Sequence, residues 1–321
     1  MSNPDYRQKF AELRQTLRLP LVCAPMFLVS GPDLVLGACR AGIVGSFPAP
    51  NARNIDIFEE WLDRITGELA LVRQQQLAHA TDVWAMNLVV HRTYERLDAE
   101  LALLQKYRPP IVITALGSPA AVVEAVHDYG GLVIADVNSV EFAHKAASVG
   151  VDGLALVAAG AGGHTGQMAG FAFVPAVREF FDGVLILAGA IGDGRAVRAA
   201  EVLGADLCYA GTRFIATSES IAFDDYKALV VESEFSDLVL SNSFTGAHAY
   251  YLRQSIVAAG LDPDNLVAKT RMDLTGTETK VKAWKDIWSA GQGVGTVHQV
   301  EPVADIVAQI SDEYAAARAQ P

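Results

Sequence analysis

The sequence predicts a (β/α)8 TIM barrel with an additional C-terminal helical lobe. Three observations carry this: eight short apolar runs without polar alternation, helix-patterned segments between them, and glycine-rich loops after the last two runs. Unbroken apolar runs are what strands look like when helices cover one side of a parallel sheet and side chains fill the other.

In chain order the runs are "LVCAPM" (21–26), "IVGSF" (43–47), "VWAMNLV" (83–89), "IVITAL" (111–116), "LVIADV" (132–137), "GLALVA" (153–158), "VLILAG" (184–189) and "LCYAG" (207–211). Helical spacing with start signals occupies 118–130, 138–150 and 192–204, and each segment ends at a glycine, the usual C-cap. From the fourth run onward the starts are separated by just over twenty to about thirty residues, the pitch of successive βα units. An open doubly wound sheet is the rival. It usually carries G-x-G-x-x-G after its first strand, which "LVCAPMFLVSG" lacks. The expected organisation is a barrel over 1–217, an inserted helical lobe over 218–290, and a C-terminal segment, 291–321, that returns to the barrel. The aromatic-rich lobe suits a homodimer surface or a lid, with core packing as the plainer account.

A chain of 321 residues that is 51% hydrophobic can bury a large core. No run approaches the roughly 18–20 unbroken apolar residues of a membrane span, and the N-terminus has no apolar signal region. The expectation is a cytoplasmic protein without membrane association. The net charge of −12, from 37 acidic and 25 basic residues without a basic stripe, argues against a nucleic-acid partner. Cys23, Cys39 and Cys208 lie apart in apolar runs and read as buried thiols. No cluster has metal-ligand spacing, so no metal is expected, and "ATSES" is not a nucleophile elbow.

The loops "AGAIGDGR" (188–195), which opens a helix, and "YAGTRF" (209–214) follow the seventh and eighth runs, where barrels commonly bind phosphate. Backbone without Cβ atoms and free N–H groups at a helix start suit an anion, so the pair reads as a phosphate clamp. The loop "LVAAGAGGHTGQMAG" (156–170) follows the sixth run and places His164 at the barrel mouth among glycines that permit close approach to a ligand. His91, after the third run, is the second candidate; the other histidines fall on helix-like or peripheral segments.

"PLVCAPM" with "AGIVGSF", then "MNLV", "GAGGHTG", "LAGAIGDGRAVRAAEVLGADLCYAGTRFIAT" and "WSAGQGVG" occur in this order and resemble the nitronate monooxygenase (2-nitropropane dioxygenase) family. The resemblance spans nearly the whole chain and implies FMN as cofactor. It implies that Ala24, Pro25 and Met26 lie against the flavin and that Asn87 hydrogen-bonds it. Val157, Gly162 and Gly163 would line the same cofactor, whose phosphate would sit on Ala188, Gly189 and Ala190 and on Gly211 and Thr212. His164 matches the family's active-site histidine, a base toward neutral nitroalkanes or an orienting group for alkyl nitronates. The second substrate would be O2, and the products a carbonyl compound and nitrite.

Three departures stand out. Ala161 stands where many relatives carry an acidic residue, Ala190 replaces a common second glycine, and Asp136 stands where some members place lysine or glutamine. Asp136 is either a carboxylate beside an electron-rich ring, which would disfavour the reduced anion, or a helix N-terminal residue turned away from it. Two further functions fit the residues: an NAD(P)H-dependent flavin reductase of the enoyl-acyl-carrier-protein or quinone reductase type, and a non-catalytic binder of a phosphorylated ligand.

Overall fold

The computed structural model describes residues 6–75, 77–269 and 281–320. Its strands are β1 (Leu21–Cys23), β2 (Gly45–Pro48), β3 (Trp84–Val89), β4 (Ile111–Ala115), β5 (Leu132–Val137), β6 (Gly153–Val157), a two-residue β7 (Gly163–His164), β8 (Val184–Ala188), β9 (Leu207–Ala210), β10 (Leu238–Ser241) and β11 (Ala249–Leu252). Eight of them form one parallel sheet in the order β1-β9-β8-β6-β5-β4-β3-β2. A parallel bridge between Val22 and Val44 joins the two ends and closes the barrel.

Alternation along each strand sorts the side chains. Val22, Val44, Ala85, Ile113, Ile134, Ala155, Ile186 and Leu207 fill the interior. Cys23, Phe47, Met86, Val112, Val133, Leu154, Leu185 and Cys208 face outward, under the surrounding helices. Both faces are therefore dry, which is why the runs carry no polar alternation. The covering helices are Pro32–Ala41, Ile55–Gln75, Leu97–Tyr107, Ala120–His127, Val140–Val149, Gly170–Arg178 and Gly194–Leu203. The three cysteines are buried and free, and burial pushes the Cys39 and Cys208 thiols up to about 12.

The segment after the barrel carries the helices Asp224–Glu232 and Arg253–Ala258 and, beyond the helical expectation, the hairpin β10–β11. β11 pairs antiparallel with β10 on one side and with β7 on the other. The loop after β6 thus supplies the edge of a three-stranded sheet. No local periodicity announces this, because β7 is two residues long and its partner lies far along the chain. Residues 270–280 of the expected lobe lie outside the described residues.

A short turn, Gln292–Thr296, leads to the last helix, Val303–Arg318, which packs on Pro32–Ala41 and Gly194–Leu203. Among the described residues no helix is long and apolar enough to cross a membrane. The last helix comes so close that a Cβ on Gly194 would lie 2.2 Å from Tyr314 N and 2.3 Å from Ile310 O. Backbone cannot yield as a side chain can, so Gly194→Ala should cost about 3 kcal/mol, the upper end of overpacking penalties. Urea denaturation checks this, and a midpoint equal to that of the unsubstituted protein would contradict the packing described.

Candidate functional site

Continuing the alternation to the C-terminal end of each barrel strand gives the inward residues of the mouth: Ala24, Pro48, Asn87, Ala115, Asp136, Val157, Ala188 and Tyr209. Three of these are polar. Asn87 Nδ2, Asp136 Oδ1 and the Tyr209 hydroxyl are all buried and have no hydrogen-bond partner among the described residues. Buried polar atoms nearly always have partners, so three orphans at one end of a barrel mark a place that a ligand completes. Burial lifts the Asp136 carboxyl to about 7, and the nearby Tyr209 hydroxyl draws it down only in part. Asp136 does not serve the following helix. Ser139 caps Val140–Val149, accepting from Phe142 N at 3.2 Å. Tyr209 was missed by sequence reasoning, although counting in twos from Leu207 finds it.

Ala24, Pro25 and Met26 leave β1 in a turn held by Asn51, whose amide donates to Met26 O (2.9 Å) and Ser30 O (2.7 Å) while its Oδ1 accepts from Leu28 N (2.9 Å). No motif singled out Asn51. A Cβ on Gly211 would stand 3.5 Å from Met26 Sδ and 3.7 Å from Ala24 Cβ, so the loops after β1 and β9 are in contact.

Gly189 (φ 127°) and Ala190 (φ 56°) turn the chain sharply after Ala188. A left-handed alanine costs about 1 kcal/mol, which the surrounding packing must offset. The backbone N–H groups of Ala190, Ile191, Gly211 and Thr212 find no acceptor among the described residues. Thr212 Oγ1 accepts from Gly291 N at 2.8 Å, leaving its own proton to donate. The expected contribution of the helix start needs correction. Asp193 already accepts from Ala196 N (2.7 Å) and Glu313 from Gly194 N (2.9 Å). Two carboxylates satisfy that terminus, so the free donors lie upstream of the helix, in the turn itself.

Two glycines of the loop after β6, Gly160 and Gly162, make room for another stretch of the chain. A Cβ on Gly162 would lie 2.8 Å from Gly291 N, and one on Gly291 would lie 2.6 Å from Gly162 N. Gln292 N donates to Gly160 O (2.9 Å) and Gly163 N to Ser289 Oγ (2.8 Å); Ser289 Oγ in turn donates to Tyr250 O. The block "WSAGQGVG" was the sequence signal for this partner, but its contact with the loop was not legible.

The β7–β11 pairing sets His164 opposite Ala249 and Gly163 opposite Tyr250. His164 therefore shares a face with Ala249 and Tyr251. Its ring stands edge-on to Trp284 at 5.5 Å, Trp284 stacks on Tyr251 at 5.4 Å, and Nε2 lies 3.0 Å from Thr245 Oγ1. The sequence places this imidazole at the barrel mouth, and the structure adds that its ring contacts come from the lobe. Burial lowers its pKa, which favours the neutral, unprotonated ring. On the opposite face, Gln292 Nε2 donates to the Tyr250 hydroxyl at 2.8 Å. Three other histidines are engaged elsewhere: His127 with Asp152 (2.8 Å), His144 stacked on Phe180 (3.6 Å) and His91 with Thr93 (2.8 Å).

Comparison with known proteins agrees with this architecture. The sequence profile described as nitronate monooxygenase matches residues 11–313. A nitronate monooxygenase of Neurospora crassa is 27% identical over 342 residues, covering 91% of this chain and 88% of that protein. An octahydroindene-carboxyl-CoA dehydrogenase of Rhodococcus jostii is 26% identical over 238 residues, covering 74% of this chain and 64% of that protein. The chain spans 59% and 64% of the length of two of its curated relatives. The crystal structure of a nitroalkane oxidase from Streptomyces ansochromogenes superposes with a TM-score of 0.72 at 22% identity, covering 97% of this chain and 99% of that one, a likeness of fold. The profile match takes in the barrel, the His164 loop and most of the last helix, and the chain belongs to the nitronate monooxygenase family of oxidoreductases.

Proposed function

We propose that this protein is an FMN-dependent nitronate monooxygenase that oxidises alkyl nitronates with O2 to a carbonyl compound and nitrite. The observation that carries the proposal is the composition of the mouth. Unpartnered polar groups line its floor, free backbone N–H groups line its side, and a half-buried imidazole is held by the lobe. These fit the group that the family implies. Asn87, Asp136 and Tyr209 would meet the polar edge of the ring, flanked by Ala24, Pro25, Met26, Val157, Gly162 and Gly163. The turn through Ala188, Gly189 and Ala190, with Gly211 and Thr212, would hold the phosphate. Bound FMN supplies the redox chemistry with O2.

The chain's own residues handle the proton and exclude water. With the Thr245 hydroxyl donating to Ala247 O (3.3 Å), His164 Nε2–H donates to Thr245 and Nδ1 is left as the free base. Nδ1 would take a proton from the carbon of a neutral nitroalkane. With a nitronate that proton is already gone, and the ring would orient the anion. Trp284, backed by Tyr251, covers one side of the imidazole with apolar surface, where each electrostatic contact is stronger than in water.

The purified protein should show the visible absorption of bound FMN and consume O2 with propionate 3-nitronate or propyl-2-nitronate. Anaerobic NADH should leave that spectrum unchanged; rapid bleaching would support the flavin reductase reading instead. A colourless protein that neither binds added FMN nor consumes O2 would point to a binder of phosphorylated ligands.

His164→Ala should reduce turnover of neutral nitroalkanes by about two orders of magnitude or more, the scale of a general base, and reduce nitronate turnover less. Equal losses on both substrates would assign the ring to orientation alone. The depressed imidazole pKa also sets a pH profile. The base form persists below the ordinary value of about 6.5, so kcat/KM for a neutral nitroalkane should stay level through that pH and fall only below it. A fall centred above it would contradict the buried neutral ring.

A further inference from the structure

We infer that the floor of the mouth is an array of three hydrogen-bond donors, in which Asp136 takes part as the neutral carboxylic acid beside the Asn87 amide and the Tyr209 hydroxyl. This rests on the FMN reading, and it assigns Asp136 a role opposite to that of an anionic residue.

The argument starts from what surrounds the carboxyl. β1, β2, β4, β6 and β8 contribute Ala24, Pro48, Ala115, Val157 and Ala188 to the inward face of the mouth, and none carries charge. β3 contributes an amide. Tyr209, on β9, is thus the one titratable group that faces Asp136 among the described residues. Burial holds the Tyr209 phenol well above its ordinary value, so it keeps its proton. Among the described residues no arginine, lysine or backbone N–H compensates Asp136 Oδ1.

An ionised carboxylate in such a place is far more costly than a neutral acid, because nothing replaces the water it loses. The value of about 7 follows from that burial, and a ring laid over the carboxyl removes further water and raises it again. The neutral acid presents an O–H. With Asn87 Nδ2–H and Tyr209 O–H it faces the acceptor-rich edge of a flavin, whose carbonyl oxygens and ring nitrogens need donors. Loss of the proton would set a carboxylate against those acceptors.

The sign of the pH dependence follows. Neutral Asp136 binds the cofactor, so affinity is full below the carboxyl's value in the free protein, falls above it by up to about tenfold per pH unit, and levels off above the higher value in the complex. Flavin fluorescence quenching measures the Kd for FMN from pH 6 to 9 in the unsubstituted protein, Asp136→Asn and Tyr209→Phe. The unsubstituted protein should weaken with rising pH. Asp136→Asn, which keeps the shape and an N–H donor, should bind within a few-fold of it at pH 6 and show no such fall. Tyr209→Phe should keep the fall and shift it to higher pH, since the group that draws the carboxyl down is gone. The phosphate's own titration is common to all three proteins.

Infrared spectroscopy of the protein without FMN supplies the second readout: a protonated-carboxyl band at pH 6 that is missing in Asp136→Asn. A flat profile for the unsubstituted protein, a fall retained in Asp136→Asn, or an absent band would each overturn the proposal. If the band is present but none of the three proteins binds FMN at any pH, the cofactor reading fails and the neutral state of Asp136 stands.

Discussion

Two backbones meet without intervening side chains at Gly162 and Gly291, and the arrangement of the site follows from that contact. Any Cβ on either residue would collide with the other strand of chain, so the loop after β6 and the segment 289–292 approach closely only because both are bare. Once they meet, Ser289 Oγ accepts from Gly163 N and donates to Tyr250 O, while the Tyr226 hydroxyl donates to Ser289 O. The loop is thereby held against β11, and His164 becomes a strand residue with a defined face. A histidine in a glycine-rich loop would otherwise sample many directions at little energetic difference.

The mouth combines three kinds of backbone support. Rigid strands carry Asn87, Asp136 and Tyr209, so their spacing is set by sheet geometry rather than by loop conformation. Tight turns after β8 and β9 leave N–H groups unpaired beside them. The lobe contributes Thr245 and Trp284, which contact the imidazole, and Tyr251, which stacks on Trp284. Burial acts on Asp136 and His164 in opposite directions, raising the carboxyl and lowering the imidazole. Both are thereby moved toward their uncharged forms. A chain with a net charge of −12 thus keeps these two groups of its mouth close to neutral.

Several elements were legible because they rest on local patterns. The eight apolar runs mark barrel strands, since dry faces on both sides demand apolar residues at every position. Gly150 and Gly204 end their helices in the left-handed conformation that glycine favours. Other features depend on partners distant in sequence. The hairpin β10–β11 and its pairing with β7 left no periodic trace. The start of the helix Gly194–Leu203 read as an open anion site because Glu313, which satisfies it, belongs to the last helix.

What the sequence by itself determined is the barrel, its order of strands and the presence of one histidine among glycines beside two turn-rich loops. Each of these is written in the identity of neighbouring residues, through alternation, helical spacing and the conformational freedom of glycine. Only the tertiary structure decided what the glycines make room for, which way His164 faces, and that Asn87, Asp136 and Tyr209 stand unpartnered together. Those outcomes depend on close contacts between segments far apart along the chain. Direction and solvation of a side chain are set by such contacts and by the water they expel, and neither leaves a local pattern to read.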